Sequence, residues 1–420
     1  MNYEMLFDEI TRTIRKDYAG AAEITNPREV SDFSYNLSQA FKMKKLDDIY
    51  FLRVMNQYLA TIRDKNLTLT LRDNDHYQSG DRGIEVRCHE KELYVTASRD
   101  ERIKPGDKLG KINAKSPKWY LEHMTKNVFW SDEEERMDWK EFLISSERVR
   151  VDRPDGTREF MDLKTFPEEK PQEEIVFSQP AEDTVCLRID SFLDTEKVAQ
   201  ALAEHEEAIG AAGRLILDLR RNRGGFDNAF YPLLPYVTDH SMLLRDFMGE
   251  QGLYTNYTKK NSKRRVSQLT PYLTSEEEGY KELAEELIEE AKEKSGAGYV
   301  YEKDEDLAAD DQMLEKKGPE KVIILTDTFT EDAAELFVQQ ASRMKRVTVV
   351  GRPTGGTIDY SNNVAVAFEG GFVFSYPISR SSDCQKGKCV KNVGLPVDVY
   401  VPWTPEELEK DVILQKALEV

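Results

Sequence analysis

The sequence predicts an α/β core preceded by a small β-rich unit and a helical N-terminal segment, and three changes of texture carry that expectation. Residues 1–75 place apolar side chains at helical spacing, 76–172 run in short alternating stretches broken by turn signals, and 173–420 alternate apolar strands with amphipathic helices. Alternation of the last kind builds a mostly parallel sheet, because each parallel return needs a crossover, usually a helix. A chain of 420 residues also exceeds what one ordinary core of roughly 100 to 200 residues holds, so several units are expected.

In the first unit Leu6, Ile10 and Ile14 share one face of a helix, and Leu52, Met55, Tyr58, Leu59 and Ile62 repeat the pattern in "DIYFLRVMNQYLATIRDK". From about His76, "GIEVRC", "ELYVTAS" and "KLGKINAKS" read as strands and "KPGD" as a turn. Pro117 to Met124 reads as a helix, and "RVRVDRPDGTREFMDL" as a hairpin turning at Pro-Asp-Gly. The polar, proline-bearing "TFPEEKPQEE" is expected to be a linker. Beyond it, "TVCLRIDSF", "RLILDLR", "KVIILTD" and "RVTVVG" are buried strands, and "VAVAF", "GFVFSYP" and "DVYVP" follow as sheet of the same core. A polar insertion at about 250–319 carries the basic cluster "KKNSKRR", expected as a solvated loop, and a helix from Ser275 to Lys294 opened by a Ser275–Glu278 capping box.

Composition narrows the function. Lys and Arg number 59 against 78 Asp and Glu, a formal charge of -19, and such a field repels phosphate backbones and anionic membrane surfaces. Neither nucleic acid nor membrane is an expected partner. No run approaches the ~18 apolar residues of a membrane span, so a cytoplasmic chain is expected, or a secreted or periplasmic one if a signal was trimmed. Cys88 and Cys186 lie in strand-like runs as small core residues. Cys384 and Cys389, in "DCQKGKC" with no second Cys or His pair nearby, read as a free or loop-closing pair rather than a metal site. No cofactor is implied.

The chemistry points to one corner. "VIILTDTFTEDAAELFVQQASRM" is a buried strand turning into a helix with Thr330-Glu331-Asp332 at its tip, the kind of turn where hydrolases expose a nucleophile beside the free N–H groups of a helix start. Two glycine loops end other strands: "LILDLRRNRGGFDN" through Gly224 and Gly225, and "VVGRPTGGTIDYSN" through Gly355 and Gly356. Exposed N–H groups in such loops, with the amide of Ala333, can hold an oxyanion or a peptide carbonyl. Asp332 and Glu335 also reproduce the spacing of a capping box, and a capping aspartate is worth about 1 kcal/mol.

In order and spacing, "LILDLRRNRGG", "TDTFTEDAAELF", "VTVVGRPTGG" and "VGLPVDVYVPWTPEELEKDVILQKAL" resemble the motifs of the tail-specific, or C-terminal processing, serine peptidases, especially their tricorn-like branch. "RGIEVRCHEKELYVTASRDERIKPGDKLGKINAKS" resembles a PDZ-like domain. The resemblance implies a core of the ClpP/crotonase type with a PDZ-like domain that selects peptide ends, and it implies peptide or unfolded-protein C-termini as partners. The expected division is 1–75 helical, 76–172 PDZ-like and ending in the linker, and 173–420 the peptidase-like core.

Carried over residue by residue, the family's nucleophilic serine, three positions before Glu335, falls on Asp332. The base of the Ser/Lys branch falls on Thr357. The base of the histidine branch falls on Arg188, and its completing glutamate near Lys391. None of the five histidines stands in a family motif. A carboxylate attacking a peptide carbonyl would form a mixed anhydride, and its charge would repel the forming oxyanion. The favoured expectation is a homologue without peptidase activity that keeps peptide or protein binding, with Asp332 capping the helix. Two alternatives stay open: an active peptidase with an unorthodox or misaligned site, using Thr330 as nucleophile, and a non-catalytic scaffold or homo-oligomer subunit.

Overall fold

The computed structural model describes the chain except residues 1, 25–26, 44–46, 73–80, 124–130, 132, 145, 168–173, 250, 275–277 and 304–311. His76, Met124, most of the 165–174 linker and Ser275 with its capping box therefore lie outside the described residues.

The helices Tyr3–Lys16 and Asp48–Ile62 each open on a side-chain cap: Asn2 accepts from Met5 N–H at 3.1 Å and Asp47 from Tyr50 N–H at 2.7 Å. Their apolar faces do not close on each other alone. Phe7, Ile10, Ile14, Phe51, Met55 and Leu59 share one core with Tyr360, Val364, Phe372, Phe374 and Tyr376, so the first helices are packed by residues some 300 positions later in the chain.

A second sheet runs antiparallel in sequence order, Ile84–His89, Glu92–Ser98, Lys108–Ile112, Arg148–Asp152 and Arg158–Asp162. Its turns use the residues their geometry demands: Gly106 at φ +93° in the Lys-Pro-Gly-Asp turn and Gly156 at φ +87° in the hairpin. The helices Pro117–His123 and Trp139–Ile144 cover its face with Tyr120, Trp139 and Leu143.

The central sheet, among the described residues, is ordered Val399–Tyr400, Val347–Gly351, Lys321–Thr326, Arg214–Asp218, Thr184–Ile189, Ile175–Ala181. All its pairs are parallel except the last, which adds an antiparallel edge. The inner strands are mostly apolar because both faces are covered. Leu217, Ile324 and Val349 pack under the helices Thr195–Glu204 and Ala333–Ala341, whereas Ile216, Ile323, Leu325 and Val350 meet Ile413 and Ala417 of the last helix. The registers Leu325↔Asp218 and Thr326↔Gly351 bring three strand ends to one level, and the loops leaving that edge build the candidate site.

Two expectations are corrected. "VAVAF" and "GFVFSYP" do not extend the parallel sheet: Tyr360–Ala367 and Phe372–Ser381 belong to a separate antiparallel sheet with Thr68–Leu71, Gly252–Tyr257 and Gly298–Lys303. Their aromatic residues are what the N-terminal helices bury, a demand that strand patterning does not display. The basic run is a helix, Lys259–Leu269, rather than a solvated loop. Thr258 caps it by accepting from Asn261 N–H at 3.1 Å, and Asn261 is buried, donating to the carbonyls of Asp17 and Asn256. Charge alone marked it as loop, and one buried Asn anchored to the first helix outweighs that.

Candidate functional site

The strand Lys321–Thr326 enters the corner at Asp327, which is buried. Burial works against its ionisation, but the guanidiniums of Arg87 at 2.8 Å and Arg352 at 2.9 Å outweigh it and hold the carboxyl well below the ordinary range. Thr330 is fully buried, donating to Leu219 O at 2.9 Å and accepting from Asp327 N–H at 3.0 Å. Its hydroxyl, proposed above as an alternative nucleophile, is spent tying the corner to the neighbouring strand end.

Asp332 then turns the chain with φ +54° and ψ -127°. For a residue bearing a Cβ this is a strained backbone, costing on the order of 1–3 kcal/mol, and it persists only where the surroundings over-determine it. They do. Asp332 N–H donates to Thr357 Oγ1 at 2.8 Å, Glu331 N–H to Asn222 O at 3.0 Å, and Gly355 N–H to Thr330 O at 2.7 Å. A Cβ on Gly224 would lie 2.4 Å from that of Asp332, so only glycine fits beside it.

This geometry corrects the capping expectation. The Asp332 side chain makes no cap bond to its helix. Its Oδ2 accepts instead from Gly225 N–H at 3.3 Å, across the gap between the two loops. Asp332 stands at the surface, yet crowding by the chain around its carboxylate raises its pKa; the Gly225 and Ala333 amides oppose the rise and Glu331 adds to it. Glu335 does not reach back to complete a box either. It is fully buried and accepts from Gly356 N–H at 2.7 Å, Thr357 N–H at 2.7 Å, Thr357 Oγ1 at 3.1 Å, Ile358 N–H at 3.3 Å and the hydroxyl of Thr354. Its burial raises the pKa against those donors. One carboxylate on the corner helix thus gathers the amides of the second glycine loop and seats Thr357 against Asp332.

Of the residues placed at the site from sequence, the fold brings together Asp332, Ala333, Glu335, Thr357, Gly224 and Gly225. Arg188 and Lys391 are engaged elsewhere: Arg188 pairs with Glu174 at 3.0 Å and Asp190 at 3.2 Å, and Lys391 pairs with Glu23 at 2.9 Å. Among the described residues, no Lys, Arg or His nitrogen forms an ion pair with Asp332.

Sequence reading missed five contributors, the Arg87 that pairs with Asp327 among them. Lys65 pairs with Glu331 at 2.9 Å, and Asn66 Nδ2 donates to the carbonyls of Thr357 and Tyr360, both at 3.1 Å. Arg136, mostly buried, donates to the carbonyls of Asn392, Pro353, Thr354 and Gly355. Arg352, 2% exposed, bonds Asp327 and Glu407. "RDKN" shows only a helix end, and "DEEERM" only charge. Lys65, Arg136, Gly355, Gly356 and Asn392 line a small cleft beside the corner.

A sharply turned strand-to-helix corner, with the amide of a facing glycine loop directed at the side chain on its tip, is the architecture of a nucleophile-bearing hydrolase core. The sequence pattern of peptidase family S41 matches residues 183–401, and the chain belongs to that family, the tail-specific proteases. No curated protein matches the chain. Among solved structures it is similar to mature CPAF complexed with lactacystin, with 14% identity, a TM-score of 0.65 and coverage of 100% of this chain and 97% of that one. It is also similar to a CPAF S499A mutant, with 14% identity, a TM-score of 0.64 and coverage of 99% and 97%. At that identity the likeness speaks for the fold alone. Among the described residues, no helix is long and apolar enough to cross a membrane.

Proposed function

We propose that this S41 chain binds peptides at the corner and its glycine loops without hydrolysing them. The observation that carries the reading is the Asp332 carboxylate, which stands at the tip of the corner with Oδ2 on the Gly225 amide, where a peptidase of this architecture needs a free hydroxyl and a base. Attack by that carboxylate would give an anhydride, and the carboxylate already occupies the Gly225 amide that should receive the oxyanion. Residues 76–172 are read as a PDZ-like domain that takes peptide or unfolded-protein C-termini, and 173–420 as a ClpP/crotonase-type core, with 1–75 a helical unit.

Titration calorimetry with peptides of apolar C-terminus, run beside mass spectrometry of an unfolded protein substrate, tests this. Saturable binding that weakens at least tenfold in Asp107→Ala, which opens the Lys104–Asp107 turn, together with no new peptide ends, is the expected result. Cleavage that disappears in Asp332→Ala, or no binding by folded protein, would overturn the reading.

A further inference from the structure

We infer that Cys384 and Cys389 form a thiol–disulfide exchange site whose redox state sets how firmly the 355–359 loop is held against the corner. The two sulfurs are joined in a disulfide. Cys384 is buried and Cys389 lies at the surface. Arg380 Nη2 stands 3.5 Å from Cys384 Sγ and 4.0 Å from Cys389 Sγ. Glu23 is shared between Arg380 at 2.8 Å and Lys391 at 2.9 Å. With Lys386 and Lys388 the turn carries four cations against the carboxylates of Glu23 and Asp383, a positive island in a chain of net charge -19.

Positive charge beside a sulfur stabilises its thiolate, and a stabilised thiolate leaves faster in exchange. The chemistry needs a small or protein dithiol as reductant. One of its thiolates bonds to the accessible Cys389 Sγ, the S–S bond breaks, and the electron pair goes to Cys384 Sγ, which leaves as a thiolate beside Arg380. The second thiol of the reductant then attacks the mixed disulfide, freeing Cys389 and leaving the reductant as its own disulfide. Two electrons enter the chain, with protons taken from solvent as the thiolates equilibrate.

The released turn is continuous with a wall of the site. Val390 and Lys391 N–H donate to Asp359 Oδ2 at 2.8 and 2.6 Å, and Leu395 N–H donates to Thr354 Oγ1 at 2.8 Å. Gly356, at φ +76°, passes so close that a Cβ would lie 2.5 Å from Val390 O. Thr357 of the same loop holds the Asp332 amide. Opening the disulfide removes the tether at the start of this wall.

The test treats the full-length chain with dithiothreitol at neutral pH, traps thiols with iodoacetamide for intact-mass measurement, and follows amide exchange of the 355–359 peptides in the oxidised, reduced and reoxidised states. Two alkylated thiols in the folded chain, at Cys384 and Cys389, are expected, with release about tenfold slower in Arg380→Gln. Loop exchange should rise several-fold on reduction and return on reoxidation. Thiols that appear only under conditions that unfold the wild-type chain, or loop exchange that is equal in the two redox states, would overturn the proposal. Equal release rates in wild type and Arg380→Gln would overturn the part assigned to Arg380.

Discussion

Two carboxylates, Asp332 at the corner and Asp359 in the loop held against it, are in states an isolated residue would not choose. Asp332 keeps a positive φ although it carries a Cβ, so Asp332→Gly removes backbone strain while losing one 3.3 Å bond to an amide that water can reach. The expected net is a stabilisation of about 1 kcal/mol in urea unfolding, and a destabilisation would show that the corner is not strained in solution. Asp359 is different. Burial pushes its pKa up to about 6 against the Lys391 and Val390 amides, with Glu335 adding to the rise, whereas an unfolded Asp titrates near ~3.9. The folded chain therefore holds that proton longer. Its contribution to stability is complete below about pH 4 and is lost as pH rises through about 6. Asp359→Asn should flatten the fall in urea midpoint across that window, and an undiminished slope would assign the effect to another group.

At the scale of elements, the strands and helices of the core were legible in the sequence because their signals are local: continuous apolar runs for Lys321–Thr326 and Val347–Gly351, and a Gly-Gly turn after Arg214–Asp218. The Asp332–Glu335 spacing is legible too, but it fits a capping box equally well, since spacing cannot distinguish a carboxylate that bonds its own helix from one that bonds a loop about twenty residues on. Glu335 is that second kind. Glu335→Ala leaves the loop amides at Gly356, Thr357 and Ile358 without an acceptor and is expected to cost roughly 3 kcal/mol or more, with faster amide exchange confined first to 354–358. Global unfolding with no local phase would argue that the carboxylate holds more than this loop.

At the scale of the whole molecule, the site is assembled from all parts of the chain. Lys65 and Asn66 come from the turn after the helix Asp48–Ile62, Arg87 from the antiparallel sheet, Arg136 from the short helical turn Glu134–Arg136 that precedes the helix Trp139–Ile144, and Arg352 from just past the end of a central strand. None of these was legible as a site residue, because the contacts span up to 294 positions and depend on how the sheets dock. Arg136 supplies the clearest check: it fills the acceptors of four carbonyls, so Arg136→Ala should destabilise the chain by about 2–4 kcal/mol in urea and weaken peptide binding together with it. A loss under 0.5 kcal/mol would mean that Arg136 does not brace the loop.

The proposed reading, that Asp332 stands where a peptidase of this architecture holds its nucleophile, rests on a carboxylate that no Lys, Arg or His pairs with among the described residues. Its most direct test is mass spectrometry of an unfolded protein incubated with equimolar wild-type chain and, separately, with Asp332→Ser. No new peptide ends are expected with either, since serine alone does not supply a base. Cleavage by the wild type that is lost in Asp332→Ala, or cleavage gained by Asp332→Ser, would contradict it.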